Sequence, residues 1–241
     1  MKLLLSLSLA TLITFSLHAG EWVPLFDGKT LNGFTQRGGV AKYMVEEDAI
    51  VGTTVPNTPN SFLCTDKNYA DFILELEFKV DSRMNSGIQF RSESKADYKN
   101  GVVHGYQSEI DPSKRAWTAG IYDESRRGWL ANLEKNEAAR GAFKQNEWNK
   151  VRIEAVGNHL RTFLNDVPAA DLIDQMTAKG FIALQVHGIG KKEEQMQVRW
   201  RNIRLMENPA PADLKPENSF SPTISQDKEA KTKPAATPEL K

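Results

Sequence analysis

Apolar and polar side chains alternate with a period of two along most of this chain, which favours strands over helices from the outset. The clearest run is Asp71 to Val80: Phe72, Leu74, Leu76, Phe78 and Val80 point one way, and Ile73, Glu75, Glu77 and Lys79 the other. Trp148 opens a second run with Val151, Ile153 and Ala155 inward; Gly157-Asn158 turns it back into His159 to Leu164, and Asn165-Asp166 marks another turn. Phe181 to His187 sets Ile182, Leu184 and Val186 against Ala183, Gln185 and His187. From Met196 to Met206 the register slips between Trp200 and Ile203, which predicts a bulge near Arg201-Asn202. Tyr43 to Gly52 reads as a strand pair around Glu47-Asp48, and Asp27-Gly28 and Asn32-Gly33 read as turns. Only Leu133 to Phe143, closed by Gly141, has helical character. Some ten short strands with so little helix predict an all-β fold, a β-sandwich in a single domain.

The polar faces carry the functional signal. Between Asn85 and Trp129, Gln89 and Arg91 share one face of a run whose other face holds Ile88 and Phe90. In the next run Gln107, Glu109 and Asp111 fall opposite Tyr106, Ser108 and Ile110. Two carboxylates and an amide on one face exceed what solubility requires, although a solvated outer sheet face is the plain alternative. If the strands are neighbours, one face collects Arg91, Gln107, Glu109, Asp111, Gln185 and His187.

The two ends read differently. Lys2 followed by the uncharged run Leu3 to Leu17 and the small residue Ala19 predicts a signal peptide over 1–19, hence an exported protein without a membrane span. Residues 208–241 are rich in Pro, Lys, Glu, Ala, Ser and Thr with Phe220 as the only aromatic, so they are expected to be a disordered tail. The folded domain is then 20–207. Lys and Arg total 31 against 31 Asp and Glu, with no basic stripe, which argues against nucleic acid as a partner. The single Cys64 forms no internal disulfide and reads as a small buried apolar side chain. No dinucleotide-binding glycine pattern, phosphate loop, CxxC or HExxH occurs. Oligomeric state is not legible.

The succession FDGKTLNGF, DFILELEF, NSGIQFR, HGYQSEIDP, AGIYDESRRGWL, EWNKVRIEAVGNHLRTFLN, GFIALQVHG and VRWRNIRL resembles the 3-keto-disaccharide hydrolase family, from Trp22 to about Glu207. One departure is Phe34, where the family usually has Trp. The resemblance implies a concanavalin A-like bent β-sandwich, or jelly roll. It also implies action on 3-keto-glycosides, either as a hydrolase or as a 1,2-lyase with a hydratase step.

A ketone at C3 acidifies the C2 proton, and its removal expels the C1 substituent by elimination. For that chemistry Glu109 and Asp111 are the candidate bases, since paired carboxylates raise one pKa. Arg91 is the candidate enolate stabiliser and His187 the candidate acid, with a structural histidine as its alternative. Gln89, Gln107, Tyr122, Asp123, Arg126, Arg127, Trp129 and Gln185 are the candidate sugar contacts. A divalent ion held by Glu109, Asp111, His187 and His104 would polarise the ketone instead, but the spacing is not diagnostic and the metal stays open. Two other readings share the face: a two-carboxylate glycosidase, and a lectin-like binding module without turnover.

Overall fold

The computed structural model describes residues 20–192 and 194–225. The expected signal peptide lies outside the described residues, as do positions 226–241 of the expected tail.

Among the described residues sixteen strands form: β1 (Trp22–Pro24), β2 (Phe34–Gly38), β3 (Lys42–Glu46), β4 (Ala49–Thr53), β5 (Ser61–Thr65), β6 (Phe72–Val80), β7 (Ser86–Glu93) and β8 (His104–Ile110). There follow β9 (Ile121–Glu124), β10 (Gly128–Ala131), β11 (Asn149–Val156), β12 (His159–Leu164), β13 (Val167–Ile173), β14 (Phe181–Val186), β15 (Gln197–Glu207) and β16 (Thr223–Ile224). The helical segment is real but short, α1 (Glu137–Gly141), capped at its start by the Asn136 side chain. The larger sheet runs β16-β13-β12-β11-β6-β15-β4-β3 with β1 on β15; the smaller runs β10-β9-β8-β7-β14-β5-β2. All pairings are antiparallel except β13 with β16. This is a two-layer sandwich, as the alternation predicts.

Between the sheets, Leu74, Leu76 and Phe78 of β6 join Ile153 of β11 and Trp200 of β15 in one buried cluster with Ile88, Phe90, Tyr106 and Leu184 of the smaller sheet. Burying side chains of this size contributes roughly 1.5–3 kcal/mol each, which is why the even positions of β6 fix its register. The turn at Glu47 and Asp48 takes left-handed backbone at both residues, φ 48° and 58°, the two-residue hairpin geometry that matches sheet twist. The expected bulge in β15 also forms, with the register shifting between Arg201 and Arg204 and Asn202 at φ 52°.

Two expectations fail here. The first concerns residues 208–225, which do not trail away. They cross the outer face of the larger sheet, where Arg152 donates to the Asp213 carbonyl at 2.6 Å and Arg161 to the carbonyls of Lys215 and Pro216 at 2.9 and 3.1 Å. Glu154 accepts from the Lys215 amide at 2.9 Å, and β16 adds to β13 beyond them. The segment has few apolar side chains, but its backbone satisfies buried charges, a contribution that composition does not reveal.

The second concerns Arg91. A bulge between Phe90 and Glu93 breaks the alternation of β7, and Arg91 sits in left-handed backbone at φ 45°. Its buried guanidinium leaves the polar face and ties the sheets together, donating to the carbonyls of Ala70 and Gly157 at 2.7 Å each and to Asp71 at 3.0 Å.

Candidate functional site

The smaller sheet curls. Gln185 on β14 and Glu124 on β9 stand three strands apart, about 14 Å in a flat sheet, yet Gln185 Nε2 lies 3.4 Å from Glu124 Oε2. The concave side of this curl holds a cleft of about 280 Å³, lined by Glu109, Glu124, His187, Arg115, Trp129 and Tyr122 among others. It is at the small end for ligand clefts, of a size for one sugar ring.

Its floor follows from strand register. Gln185 pairs with Gly87, and Gly87 with Glu109, so the three form one cross-strand row facing the cleft. In the next row Gln89 pairs with Gln107 and Gln107 with Tyr122. The Gln107 side chain lies over Gly87; a Cβ on Gly87 would stand 2.6 Å from Gln107 Cγ. From there Gln107 Nε2 donates to Glu109 Oε2 at 2.8 Å, while its own oxygen accepts from Gln89 Nε2 at 2.5 Å. Gln89 itself is fully buried beneath the floor and supports Gln107.

Glu109 is almost wholly buried, accepts from Asn85 Nδ2 at 2.6 Å, and has Arg115 at 3.8 Å. Burial pushes its carboxyl up to about 7, against the lowering effect of the two amide donors. Across the cleft, burial also raises Glu124, which His187 and the surrounding hydrogen bonds lower in part. His187 is exposed at the rim with its ring against the Gly188 carbonyl, 2.8 Å from Nδ1.

Asp111 takes a different part from the one expected of it. Its carboxylate accepts from Arg115 Nε at 2.7 Å and from the amides of Ser113 and Trp117 at 3.2 and 3.3 Å. These bonds outweigh the upward push of burial and hold it below its ordinary range. Arg115, so anchored, stacks over Trp117 and Trp129 at 4.9 and 5.1 Å, and Tyr122 packs edge-on against Trp129 at 5.2 Å. Asp111 therefore orders the loop between β8 and β9 and places the one guanidinium among the cleft's lining residues.

Besides Gln89 beneath the floor, three expected sugar contacts lie outside the cleft lining. Asp123 faces the core side of β9, because alternation puts Tyr122 and Glu124 on the cleft side. Arg126 and Arg127 both ion-pair with Asp123, and Arg127 also pairs with Asp174, so the expected cationic rim is a buried network. Asp174, held down at about 2 by Arg127, Ser225 and Tyr106 despite burial, ties the C-terminal segment to it. His104 stacks on Tyr98 at 4.0 Å and bonds the Val102 carbonyl, outside the cleft lining. Among the described residues no three His, Cys, Asp or Glu side chains converge as metal ligands. The cleft members that sequence reasoning missed are Asn60, Asn85, Arg115 and Glu124.

A larger hollow of about 720 Å³ opens on the outer side of the other sheet near the β15 bulge. Its Glu75 and Glu77 are already paired with Arg152, Arg204 and Arg201. The smaller cleft, with buried and perturbed carboxyls, is the better seat for chemistry.

A bent sandwich with carboxyls, amides and an indole ring in the cleft of one sheet has the architecture of the carbohydrate-active β-sandwiches. Residues 21–206 match the 3-keto-alpha-glucoside-1,2-lyase-like domain, and the chain belongs to that family. No curated protein matches it. Among solved structures it is similar to a protein from Parabacteroides distasonis ATCC 8503 provisionally assigned as a glycosyl hydrolase, with TM-score 0.55 and 18% identity over 78% of this chain and 94% of that one. It is also similar to the carbohydrate binding module CBM66 from Bacillus subtilis (TM-score 0.54, 18% identity, 73% and 96% covered). A third is a Bacillus subtilis protein of unknown function with a galectin-like fold (TM-score 0.54, 11% identity, 78% and 96% covered). At these identities the likeness concerns the fold. Among the described residues no helix is long and apolar enough to cross a membrane.

Proposed function

We propose that the chain cleaves 3-keto-glycosides by elimination across C1 and C2. The observation that carries this reading is Glu109, a buried carboxyl tuned to about 7 and set beside the guanidinium of Arg115. A general base works best with a pKa near the working pH. Its carboxylate takes the C2 proton, and the electron pair passes into the C3 carbonyl as an enolate. Arg115, in the place expected of Arg91, faces that developing charge with donors only. Collapse of the enolate restores the ketone, forms the C1–C2 double bond and breaks the bond from C1 to the leaving oxygen. His187 or Glu124 protonates that oxygen. Addition of water across the double bond, hydroxyl to C1 and proton to C2, completes a net hydrolysis. Export belongs to the same proposal and rests on the uncharged run before Ala19.

A non-catalytic sugar-binding module is the second reading, favoured by the edge-packed rings of Trp129 and Tyr122 in the cleft lining. The test compares a 3-keto-glucoside with its unoxidised parent, for wild type and Glu109→Gln, with and without a chelator. Elimination predicts turnover of the keto form alone and a loss of at least about 10²-fold in the variant. Rapid cleavage of the parent would indicate a two-carboxylate glycosidase, and binding without turnover a module. Loss of rate with chelator would assign a divalent ion to the ketone.

A further inference from the structure

Gln185 is fully buried in the cleft floor, and its two amide atoms are differently placed. Nε2 is committed to Glu124 Oε2. Oε1, although buried, has no hydrogen-bond partner in the protein. Folded proteins leave few buried acceptors unpaired, so one that lines a ligand-sized cleft points to a donor supplied by what binds there. Gln185 stands in the same cross-strand row as Glu109, with only Gly87 of β7 between them, so the intervening strand projects no side chain there, and Gln107 of β8 lies flat over that glycine. A sugar ring above Glu109 is therefore within reach of Gln185.

One group of the cleft that only donates and one unpaired atom that only accepts stand two strands apart. Arg115 offers only donors and stands beside Glu109, while Gln185 Oε1 only accepts. A keto sugar carries a ketone oxygen that only accepts and hydroxyls that can donate. Turned one way, the ring satisfies both walls. Turned the other, it sets two acceptor oxygens against each other at Gln185 and leaves Arg115 facing a hydroxyl.

We propose that Gln185 is a specificity-determining residue, which orients the sugar by accepting a hydrogen bond from a ring hydroxyl and so turns the ketone toward Arg115. The proposal rests on the elimination reading for its substrate but not for its geometry.

The test is a cycle of Gln185→Met, which keeps length and loses the acceptor, against methyl 3-keto-glucoside and its monodeoxy counterparts at C2, C4 and C6. Wild type should lose about 10-fold or more in kcat/KM on one deoxy form. Gln185→Met should lose a similar factor on the parent and nothing further on that same form. Factors that simply multiply at all three positions, or a variant equal to wild type, would overturn the role. Gln185→Asn, with the amide retained but drawn back, should fall between the two, and equal melting temperatures show that the comparison is of folded proteins. The same cycle run as calorimetric binding of the unoxidised methyl glucoside series separates the two claims. Coupling in binding without turnover sinks elimination and leaves Gln185 standing; turnover without coupling sinks Gln185 alone.

Discussion

Gly87 lies directly beneath Gln107, close enough that even a methyl group on the glycine would stand 2.6 Å from Gln107 Cγ. The absence of a side chain there is what lets Gln107 lie flat, reach Glu109 and leave the cleft open above β7. Gly87→Ala should lift Gln107 off the floor at an overpacking cost of about 1–3 kcal/mol. A lower melting temperature together with a loss of activity larger than that of Gln107→Ala is expected. Activity at the wild-type level would show that Gln107 need not hold Glu109.

The C-terminal segment is expected to be structural. Truncation after Glu207 removes the carbonyl partners of Arg152 and Arg161, the Lys215 amide that bonds Glu154, and the Ser225 hydroxyl on Asp174. With net contributions near 0.5–1.5 kcal/mol per bond, and partial replacement by water, the loss should be roughly 2–4 kcal/mol. Chemical denaturation of the full and truncated chains measures it. A midpoint unchanged within error would mean that the segment merely rests on the sheet.

These two cases show what alternation can and cannot convey. The period of two placed Phe72, Leu74, Leu76, Phe78 and Val80 in the core, and put Gln107 and Glu109 on one face, because each residue in a regular strand has its side fixed by its neighbours. Glu124 was within reach of the same reasoning, two residues from Tyr122 on the cleft side of β9. Arg91 was not, because a bulge at φ 45° swings it out of the pattern. Arg115, Asn60 and Asn85 come from loops or strand ends, where no periodicity applies. Asp123, Arg126 and Arg127 look like a surface cluster in sequence and prove buried, since only the fold brings Asp174 to meet them. The docked tail escaped for a related reason: its bonds to Arg152, Glu154 and Arg161 are made by backbone, which is the same in every sequence.

Glu109 should make both rate and stability depend on pH, with opposite signs. Its folded value of about 7 lies above the ordinary 4.5, so between those values the folded protein holds a proton that the unfolded chain has released. Stability from this group is fully present below about 4.5 and is lost as pH rises through about 7. Glu109→Gln removes the dependence, so its melting temperature should gain on wild type as pH rises across that window. With Glu109 as the proposed base, activity should climb over the same range as the carboxylate forms. A pH-independent gap between the two melting curves would place Glu109 in a more solvated setting than the cleft floor.

Asp111 and Arg115 should behave as one unit. Asp111 is not exposed in the cleft, so Asp111→Asn acts on catalysis through the guanidinium it aims, weakening a charge-assisted bond at 2.7 Å. We expect Asp111→Asn to lower kcat by about 10-fold, within the range for a misaligned electrostatic contact, and Arg115→Met to lower it further. The double variant should be no worse than Arg115→Met alone, because once the guanidinium is gone there is nothing left for Asp111 to aim. The pH profile supplies the control. If Asp111 acts only by placing Arg115, the limb that reports Glu109 should survive in Asp111→Asn. Were Asp111 itself the base, that limb would vanish in Asp111→Asn and persist in Glu109→Gln.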